Sequence, residues 1–467
     1  MTDHMLKVLK ILLFIAISFI ISDAASLNNF TLTLNQSIKE NNLDSAFIGI
    51  KIINMQTGKS VYKLNSEKNF IPASNTKLVT AAAALLFFDK DFQYKTAIYY
   101  DQIKDHSINN LYIDFSGDPS LTTQNLRELL EKLQTNKITE INNIYFINRF
   151  FQGRNIGINN SQSDSIFAYG APSSIYNLNE NASTFELKPY KDGFVIKHTK
   201  GEAIKVYNQL VLAGDTQLNT CQFNASNINN FLKLSGCLPE NNYTFNFAIQ
   251  NPKKMMEKVI LRELKKLKIK TNIKIEISDH LPQGTQLLSQ HVSEKLPKLL
   301  HHMLEFSDNL YAQSILRTIG YYYLGTGSIV SGKNSALEIL KNKLGLDVSS
   351  IQLEDGVGTS ENNLLSPDFL VNLLYKMSLQ SDFKLFKSFF PIYGETGTLA
   401  NRNSSILKGK VIAKTGTETT SIALSGYLYS SSHDQYIFSI LINSLKENQK
   451  KGAKALEKDL LESILLI

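Results

Sequence analysis

The segment "IPASNTKLVTAAAALLFF", residues 71–88, constrains the fold more than any other part of the chain. Its Ala, Leu and Phe residues leave no polar face on a helix, so a helix here must be buried on nearly all sides. Other elements must therefore pack around it. The segment opens with Ser74 and Lys77, and their spacing places them one turn apart on the same helix face. The same Ser-x-x-Lys spacing occurs without such an apolar run at Ser60, Ser381 and Ser405.

Two interpretations of Ser74 and Lys77 are open at this point: a surface hydroxyl beside a solvated amine, or a nucleophile beside its base. The start of a buried helix favours the second, because burial lowers the pKa of a lysine and a neutral amine can accept the serine proton. Backbone N–H groups and the positive end of the helix dipole can also stabilise an oxyanion there.

Length and composition place the chain among ordinary globular proteins. Its 467 residues favour two or three domains, and its 43% hydrophobic and 19% charged residues do not suit a disordered chain. The net charge of +7 is spread along the sequence, without zinc-ligand spacing or an arginine-rich arm. A nucleic-acid partner is therefore disfavoured, whereas attraction to an anionic polymer such as a cell wall stays open.

The N-terminus has the features of a secretory signal peptide over residues 1–24. Lys7 and Lys10 precede the apolar run "ILLFIAISFII", and small residues follow at Ser22 and Ala24. The run is shorter than the ~20 residues of a spanning helix, although an uncleaved anchor remains the lesser alternative. The mature protein is expected to be exported to the periplasm.

The two cysteines, Cys221 and Cys237, are the only ones in the chain and lie close together in sequence. In an exported protein such a pair predicts one disulfide, which would stabilise the fold by about 3 kcal/mol. Two unrelated thiols would be the better interpretation only if the signal peptide were misread.

Changes in the pattern of strand-like and helix-like segments predict how the chain divides into domains. Ala46–Asn54 and Ser60–Leu64 predict a β-hairpin, and residues 96–290 alternate short strands with helices as one or two inserted mixed α/β subdomains. Residues 25–95 and 291–467 would then form the catalytic domain. Two strands are expected near 410–430, another at "YIFSILINS", and an amphipathic helix at 447–465. That helix is expected to pack on its own sheet, so membrane contact would be at most peripheral.

Two further segments decide between the interpretations of Ser74. "EFSDNLYAQSIL" contains Ser307, Asp308 and Asn309 between two helices, and "KVIAKTGTETTSIALSGYL" contains Lys-Thr-Gly at residues 414–416, at the end of a strand. Ser-x-x-Lys, Ser-Asp-Asn and Lys-Thr-Gly in this order resemble the signature of penicillin-binding proteins and class A β-lactamases. The resemblance makes Ser74 the expected nucleophile.

The chemistry of acyl transfer assigns expected roles to the reacting groups. Lys77 would be the general base for Ser74. Ser307 would relay a proton between lysine and the leaving amine, and Asn309 would hold the amide backbone of the substrate.

The third motif would bind the substrate. Lys414 would offer a positive charge to a terminal carboxylate, and Thr415 and Thr417 would offer hydroxyls to it. Gly416 would let the substrate lie against the strand edge. The backbone N–H groups of Ser74 and Thr417 would form the oxyanion hole.

The long insert between Ser74 and Ser307 is similar to the one in the class C low-molecular-mass penicillin-binding proteins. These form the D-alanyl-D-alanine carboxypeptidase/endopeptidase family. "LYIDFSGDPSLTTQNLRELL", "YGAPSSIYNLNENASTFEL" and "GETGTLANRNSSILKGKVIAKTGT" are similar to segments of that family. The resemblance implies an α+β fold, in which a five-stranded antiparallel sheet is flanked by helices. It also implies a periplasmic peptidoglycan hydrolase that acts on stem peptides and is acylated by β-lactams. No cofactor is expected, because the sequence shows no phosphate-binding loop and no cofactor motif.

One segment departs from the family pattern. The family usually has Asp-Gly-Ser-Gly-Leu-Ser-Arg where this chain has "DGVGTSENN", so Val357 replaces the serine and Glu361 the arginine. If this loop shapes the rim of the active site, substrate preference or rate could differ. Acylation is expected to survive, because the three core motifs are intact.

Two alternative functions remain on the same fold: a β-lactamase or esterase, and a catalytically silent wall-binding protein. Ser307 in the middle motif favours a slowly deacylating peptidase over a β-lactamase, and the intact lysines disfavour a silent protein. No metal site is expected, since adjacent His301 and His302 point in different directions on a helix, where a solvated face is the better interpretation. Asp114 and Asp118 flank a glycine turn that is expected to be structural.

Overall fold

The computed structural model describes residues 30–151, 164–214, 220–271, 274–430 and 435–465; the expected signal peptide lies outside them. The first described helix, α1, covers residues 30–40. The remaining α-helices are α2 Lys77–Phe87, α3 Thr123–Thr135, α4 Pro252–Lys266, α5 Leu296–Glu305, α6 Asn309–Leu324, α7 Ile329–Leu344, α8 Pro367–Ser378, α9 Phe383–Lys387 and α10 Lys450–Ile464.

The strands fall into three sheets. The first nine strands are β1 Phe47–Asn54, β2 Ser60–Leu64, β3 Lys95–Tyr100, β4 Ile103–Lys104, β5 Ser107–Asp114, β6 Glu140–Ile147, β7 Ala182–Tyr190, β8 Gly193–Gly201 and β9 Lys205–Leu212. The other nine are β10 Phe223–Ile228, β11 Phe231–Leu238, β12 Tyr243–Ala248, β13 Lys270–Thr271, β14 Glu276–Ser278, β15 Gln286–Val292, β16 Val411–Thr417, β17 Ile422–Tyr429 and β18 Gln435–Asn443.

A five-stranded sheet in the order β16-β17-β18-β1-β2 organises the part of the chain that carries the motifs. Every neighbouring pair in it is antiparallel. Both faces are covered, because alternate residues of a strand point to opposite faces. In β18, Ile437 and Leu441 belong to the apolar core that contains α2, whereas Phe438 and Ile440 join a core on the other face with α1 and α10. The α+β fold with a five-stranded antiparallel sheet is thus confirmed.

Helix α2 is buried, as its composition predicts. Its residues from Lys77 to Leu85 are all buried, and its alanines have no exposed surface. Residues from α5, α6, α7 and α8 share the same apolar core. A helix surrounded in this way holds the side chains at its beginning in one place.

The stretch between the hairpin and α5 forms two sheets. One has the order β13-β6-β5-β3-β15, with β4 paired to β5 and β14 to β6, and the other has the order β10-β11-β9-β8-β7-β12. The second sheet is nested in sequence within the first. One apolar core, which includes residues of α3 and α4, contacts both sheets. The proposed boundaries at residues 95 and 291 remain a prediction.

Cys221 and Cys237 are joined by a disulfide with a Cα–Cα distance of 5.4 Å. Cys237 is in β11, which is next to the edge strand β10 of the six-stranded sheet, and Cys221 lies two residues before β10. Within the described ranges, we find no helix with the length and apolar character needed to cross a membrane. Helix α10 contributes Leu456, Leu460 and Leu461 to the core of the five-stranded sheet, so its apolar face is covered by the protein.

Candidate active site

Ser74 and Lys77 lie where a tight turn leads into α2. Ser74 lies in a 3₁₀ turn, Ala73–Thr76, and α2 itself begins at Lys77. The serine is therefore one turn before the α-helix rather than in its first turn. Ala73 has a φ of 47°, a left-handed conformation that costs a non-glycine residue about 1–3 kcal/mol. Such strain beside a reactive group is common at active sites.

Lys77 contacts three parts of the chain at once. Its Nζ lies 2.9 Å from Ser74 Oγ, 2.7 Å from Asn309 Oδ1 and 2.9 Å from the carbonyl oxygen of Val357. The side chain has no exposed surface. Burial lowers the pKa of Lys77 to about 8, against the opposing effect of the nearby Asp355, Asp308 and Glu418 carboxylates. The amine is thus positioned and tuned to exchange a proton with Ser74.

The loop that supplies the Val357 carbonyl is organised by one carboxylate. The side chain of Asp355 accepts hydrogen bonds from the backbone N–H groups of Val357, Gly358 and Ser360, and from the amide of Asn363. Gly358 has a φ of 97°, and a Cβ there would lie 1.9 Å from the carbonyl oxygen of Ala73. Glycine is required because the loop lies directly against the turn that carries Ser74.

The structure shows what the two residues that depart from the family pattern contact in this chain. Position 357 contributes its backbone carbonyl to Lys77, while the Val357 side chain is buried in the core around α2. Glu361 is exposed. The contact from position 357 to Lys77 is therefore made by the backbone and not by the side chain.

The middle motif lies between α5 and α6. Ser307 has a φ of 58°, and Asp308 caps α6 by accepting a hydrogen bond from the Tyr311 N–H. Ser307 Oγ lies 2.8 Å from the Nζ of Lys414, so the lysine that it contacts is Lys414. The Asn309 side chain accepts from Lys77 and donates to the carbonyl oxygen of Tyr169, so both ends of its amide are engaged.

Strand β16, which carries the third motif, forms another side of the site. Lys414 is fully buried, and its Nζ also donates to the carbonyl oxygen of Thr415 at 2.7 Å. Burial, followed by the nearby charge of Lys77, lowers the pKa of Lys414 well below its usual value. The Thr415 hydroxyl donates to Thr398 Oγ1. A Cβ on Gly416 would lie 3.0 Å from the Ala73 Cβ, so glycine lets the strand approach the catalytic turn.

These groups border one cleft of about 370 Å³. Its lining includes Ser74, Ser307, Asn309 and Thr417, together with Tyr169 and Glu418. The cleft thus combines a serine hydroxyl beside a buried amine with a second buried amine on the facing strand. This arrangement can activate a hydroxyl for attack on a carbonyl and hold a negatively charged group nearby.

A second cluster of titratable groups lies beside the middle motif. One donor atom each of Glu180, His302 and Asp308 lies within 4.8 Å of the others, which makes them the potential metal ligands in this part of the described chain. His302 is half-buried and its ring is tilted against that of Tyr311, with centroids 4.2 Å apart, so it does not lie on a solvated face as expected. Burial favours neutral His302, but Asp308 and Glu180 outweigh this and raise its pKa.

Comparison with known proteins agrees with this geometry. The sequence profile of the D-Ala-D-Ala carboxypeptidase 3 (S13) family matches residues 31–462. The chain belongs to the S13 family. Since this S13 match covers nearly the whole chain, it includes the inserted sheets as well as the three motifs.

Similar proteins extend the S13 assignment to whole-chain relatives. The D-alanyl-D-alanine carboxypeptidase DacB of Haemophilus influenzae is 29% identical over 439 residues, which cover 91% of each chain. The crystal structure of penicillin binding protein 4 from Haemophilus influenzae superposes with a TM-score of 0.83 and 27% identity, covering 93% of this chain and 99% of that one. A structure of that protein complexed with a β-lactam has a TM-score of 0.78 and 26% identity, with the same coverage.

Sequence reasoning missed several contributors to the site. The Val357 carbonyl acts through the backbone, which no side-chain pattern reports. Asp355 and Tyr169 lie in segments that resemble the family, but no role was predicted for them. The Asp-Gly-x-Gly pattern was the available signal, because an aspartate followed by two glycines favours a tight loop held by the carboxylate.

Proposed function

We propose that this protein is a serine D,D-peptidase that cleaves the bond after a D-alanine in peptidoglycan stem peptides, through an acyl-enzyme on Ser74. One observation carries the proposal: Ser74 Oγ lies 2.9 Å from the Nζ of a fully buried lysine whose pKa is lowered to about 8. An amine with this pKa is neutral often enough near neutral pH to accept the hydroxyl proton.

Acylation follows from these contacts. Ser74 Oγ attacks the carbonyl carbon of the penultimate D-alanine while its proton passes to Lys77 Nζ. The negative charge on the carbonyl oxygen is stabilised by the backbone N–H groups of Ser74 and Thr417. The C–N bond then breaks, and the leaving amine takes the proton that Lys77 received from Ser74, with the Ser307 hydroxyl as the proposed relay. The product is a Ser74 ester and a free C-terminal residue.

Lys414 is suited to the substrate carboxylate. Two ammonium groups in one cleft repel each other, and Lys414 is additionally disfavoured as a cation by its burial. A carboxylate beside Lys414 would counter both effects and keep the proton there. Bound substrate would therefore concentrate the positive charge on Lys414 and leave Lys77 free to act as the base.

Deacylation completes the hydrolysis. Water attacks the Ser74 ester, its proton passes to a base in the cleft, and the serine oxygen recovers a proton as the shortened peptide leaves. The same steps cleave a terminal D-alanine or a D-alanine cross-link, depending on the amine that leaves. A β-lactam would form the same ester, and its ring-opened amine would stay attached.

We propose that the protein acts in the periplasm. Residues 1–24 have the sequence pattern of a signal peptide, and a disulfide at Cys221 and Cys237 suits an oxidising compartment. Cell fractionation with N-terminal sequencing of the mature protein tests this: a mature chain that starts near residue 25 in the periplasmic fraction is expected, and a cytoplasmic, uncleaved chain would contradict it.

Labelling with a fluorescent penicillin tests the nucleophile. The wild-type protein should be labelled on the peptide that contains Ser74, and Ser74→Ala should lose the label. Ser405→Ala is the matched control, because Ser405 has the same spacing to a lysine but lies on an exposed turn. Comparison of D-alanine release from a pentapeptide with cleavage of cross-linked muropeptides then distinguishes carboxypeptidase from endopeptidase activity.

Absence of label on the folded wild-type protein would contradict slow deacylation from Ser74. Rapid hydrolysis of the drug would then assign a β-lactamase on the same fold. An unchanged drug would assign a silent wall-binding protein.

A further inference from the structure

A second pocket lies at the far ends of the two helices that begin at the active site. It has a volume of about 530 Å³ and is lined by Phe88, at the C-terminus of α2, and by Tyr322, near the C-terminus of α6. At 1.5 Å per residue, these side chains are about 16–20 Å along their helices from Lys77 and Asn309. The pocket is therefore separate from the catalytic cleft.

Aromatic rings at right angles form one corner of this pocket. Phe88 and Phe92 are stacked with centroids 4.3 Å apart, and the Tyr322 ring is inclined at 88° and 87° to them. The Tyr322 side chain remains 52% exposed. Ring faces left open in a concave site offer flat apolar surfaces, which suit a ligand whose own faces are apolar and flat.

The polar floor of the pocket carries hydrogen-bonding capacity that the protein does not use. Asp114 and Ser116 are 5% and 7% exposed, and both line the pocket. Among the described residues, neither Asp114 Oδ1 nor Ser116 Oγ has a hydrogen-bond partner. Buried polar atoms without partners are costly, so two together in a pocket indicate a ligand that would satisfy them.

Charge at this floor is balanced. The Asp114 Oδ2 atom accepts from the guanidinium of Arg149, which also packs on the Phe150 ring at 5.3 Å. The pair lies where the parallel strands β5 and β6 end, since Asp114 is the last residue of β5 and Arg149 follows β6. Crevices at the carboxyl ends of parallel strands are common ligand sites. A neutral ligand that both donates and accepts hydrogen bonds suits a paired acid and base better than an ion does.

We propose that this pocket binds the N-acetylated sugar units of the peptidoglycan glycan strand. A pyranose ring has apolar C–H faces for Phe92 and Tyr322, and hydroxyl and acetamido groups for Asp114, Ser116 and Arg149. The choice of this polymer rests on the proposed function, which places peptidoglycan in the catalytic cleft. The pocket would hold the enzyme on the glycan while the cleft acts on the peptide.

Binding of peptide-free sugars tests the pocket directly. The probe is a β-1,4-linked N-acetylglucosamine tetramer, added to the mature protein and followed by saturation-transfer NMR and calorimetry. Tyr322→Ala should weaken binding about tenfold through loss of the ring face. Tyr207→Ala is the control, since Tyr207 is similarly exposed, at 48%, but lies on the six-stranded sheet.

Ser116→Ala separates a binding role from a structural one. Removing a buried hydroxyl without a partner should leave the thermal midpoint unchanged or higher, yet it should weaken sugar binding. Both variants should keep wild-type penicillin acylation and hydrolysis of a soluble pentapeptide, and should digest intact sacculi more slowly.

Three outcomes would overturn the inference: no binding of the tetramer at millimolar concentration, equal binding by wild type and both variants, or Tyr322-dependent binding of sugar-free stem peptides instead. If penicillin did not acylate the wild-type protein, the proposed function would be overturned, but the proposed sugar site would not. The two failures are therefore distinguishable.

Discussion

The catalytic cleft and the inserted region bury charged groups in opposite ways. In the cleft, Lys77 and Lys414 contact hydroxyl groups, an amide oxygen and backbone carbonyls, all of which are neutral. In the inserted region, Glu263 is 1% exposed and contacts three cations, from Arg127, Arg262 and Lys266. In the cleft, the buried lysines make direct contacts with neutral groups and the carboxylates that act on Lys77 are only nearby, whereas in the inserted region the buried glutamate is in direct contact with cations.

The pKa values of these groups move accordingly. Burial lowers the pKa of both lysines and favours their neutral forms. For Glu263, burial alone would raise the pKa, but hydrogen bonds from Lys266, Arg127 and Arg262 outweigh it and lower the pKa to about 2. The lysines are held ready to change protonation state, whereas the glutamate is held in one state. A buried amine with a lowered pKa is typical of reactive sites, whereas a carboxylate held ionised by several cations is typical of stabilising ion-pair networks.

Replacement of Lys77 should have the largest effect on activity. Lys77→Met removes the base for Ser74 and should slow penicillin acylation by about three orders of magnitude or more. The thermal midpoint should fall only modestly, because the cost of leaving Asn309 Oδ1 and the Val357 carbonyl without this donor is offset by replacing a buried amine with an apolar chain of similar length. Stopped-flow acylation and differential scanning calorimetry measure the two quantities.

Lys408→Met is the matched control for that variant. It has the same spacing from Ser405, on an exposed turn, and should leave acylation unchanged. If Lys77→Met acylated at the wild-type rate, Lys77 would not be the base, and its burial would need another explanation.

Replacement of Glu263 should have the reverse pattern. Glu263→Gln breaks three charge-assisted contacts and should lower the free energy of unfolding by about 1.5–3 kcal/mol, with penicillin acylation unchanged. Because the folded pKa lies below the ordinary value of 4.5, the stabilisation is present above pH 4.5 and is lost as the pH falls towards about 2. The difference in thermal midpoint between wild type and variant should therefore close over that range. A constant difference down to pH 2 would contradict the ion-pair origin.

The sequence predicted the catalytic half closely because its signals are local. The Ser-x-x-Lys spacing depends on one turn of helix, and the expected hairpin at Ala46–Asn54 and Ser60–Leu64 corresponds to β1 and β2. The three motifs became informative together, since each lies on the element that the resemblance implies. The antiparallel sheet itself came from the resemblance, because pairing between β1 and β18 joins the two ends of the chain and no local pattern reports it.

The inserted region and the contacts between motifs were less predictable for the same reason. Alternating short strands predicted sheets there, but nesting of one sheet inside another depends on pairings between distant strands, such as β6 with β13 and β14. Ser307, the expected proton relay between lysine and the leaving amine, contacts Lys414 and not Lys77 in the folded chain. Only the folded arrangement decides which of two buried lysines a serine meets.

The pH profile of acylation sharpens the contrast between the two regions. With the neutral form of Lys77 as the proposed base and its pKa at about 8, the acylation rate should rise about tenfold per pH unit below that value and level off above it. Measurement of the penicillin acylation rate from about pH 6 to about pH 9 tests this, and the profile of Glu263→Gln should be superimposable on it. A rate that is flat or falls over this range would exclude Lys77 as the titrating base.

The smallest expected effect concerns Glu418, which lines the cleft beside Ser74. Its charge is one of the carboxylates that raise the pKa of Lys77 against the effect of burial. Glu418→Gln should therefore lower the pKa of Lys77 further and move the rising limb of the acylation profile to lower pH, with little change in the plateau. Glu361→Gln is the control, since that residue is exposed on the neighbouring loop and is not among the charges that shift Lys77. A shift of the limb to higher pH in Glu418→Gln would show that desolvation of the cleft, rather than charge, controls the base.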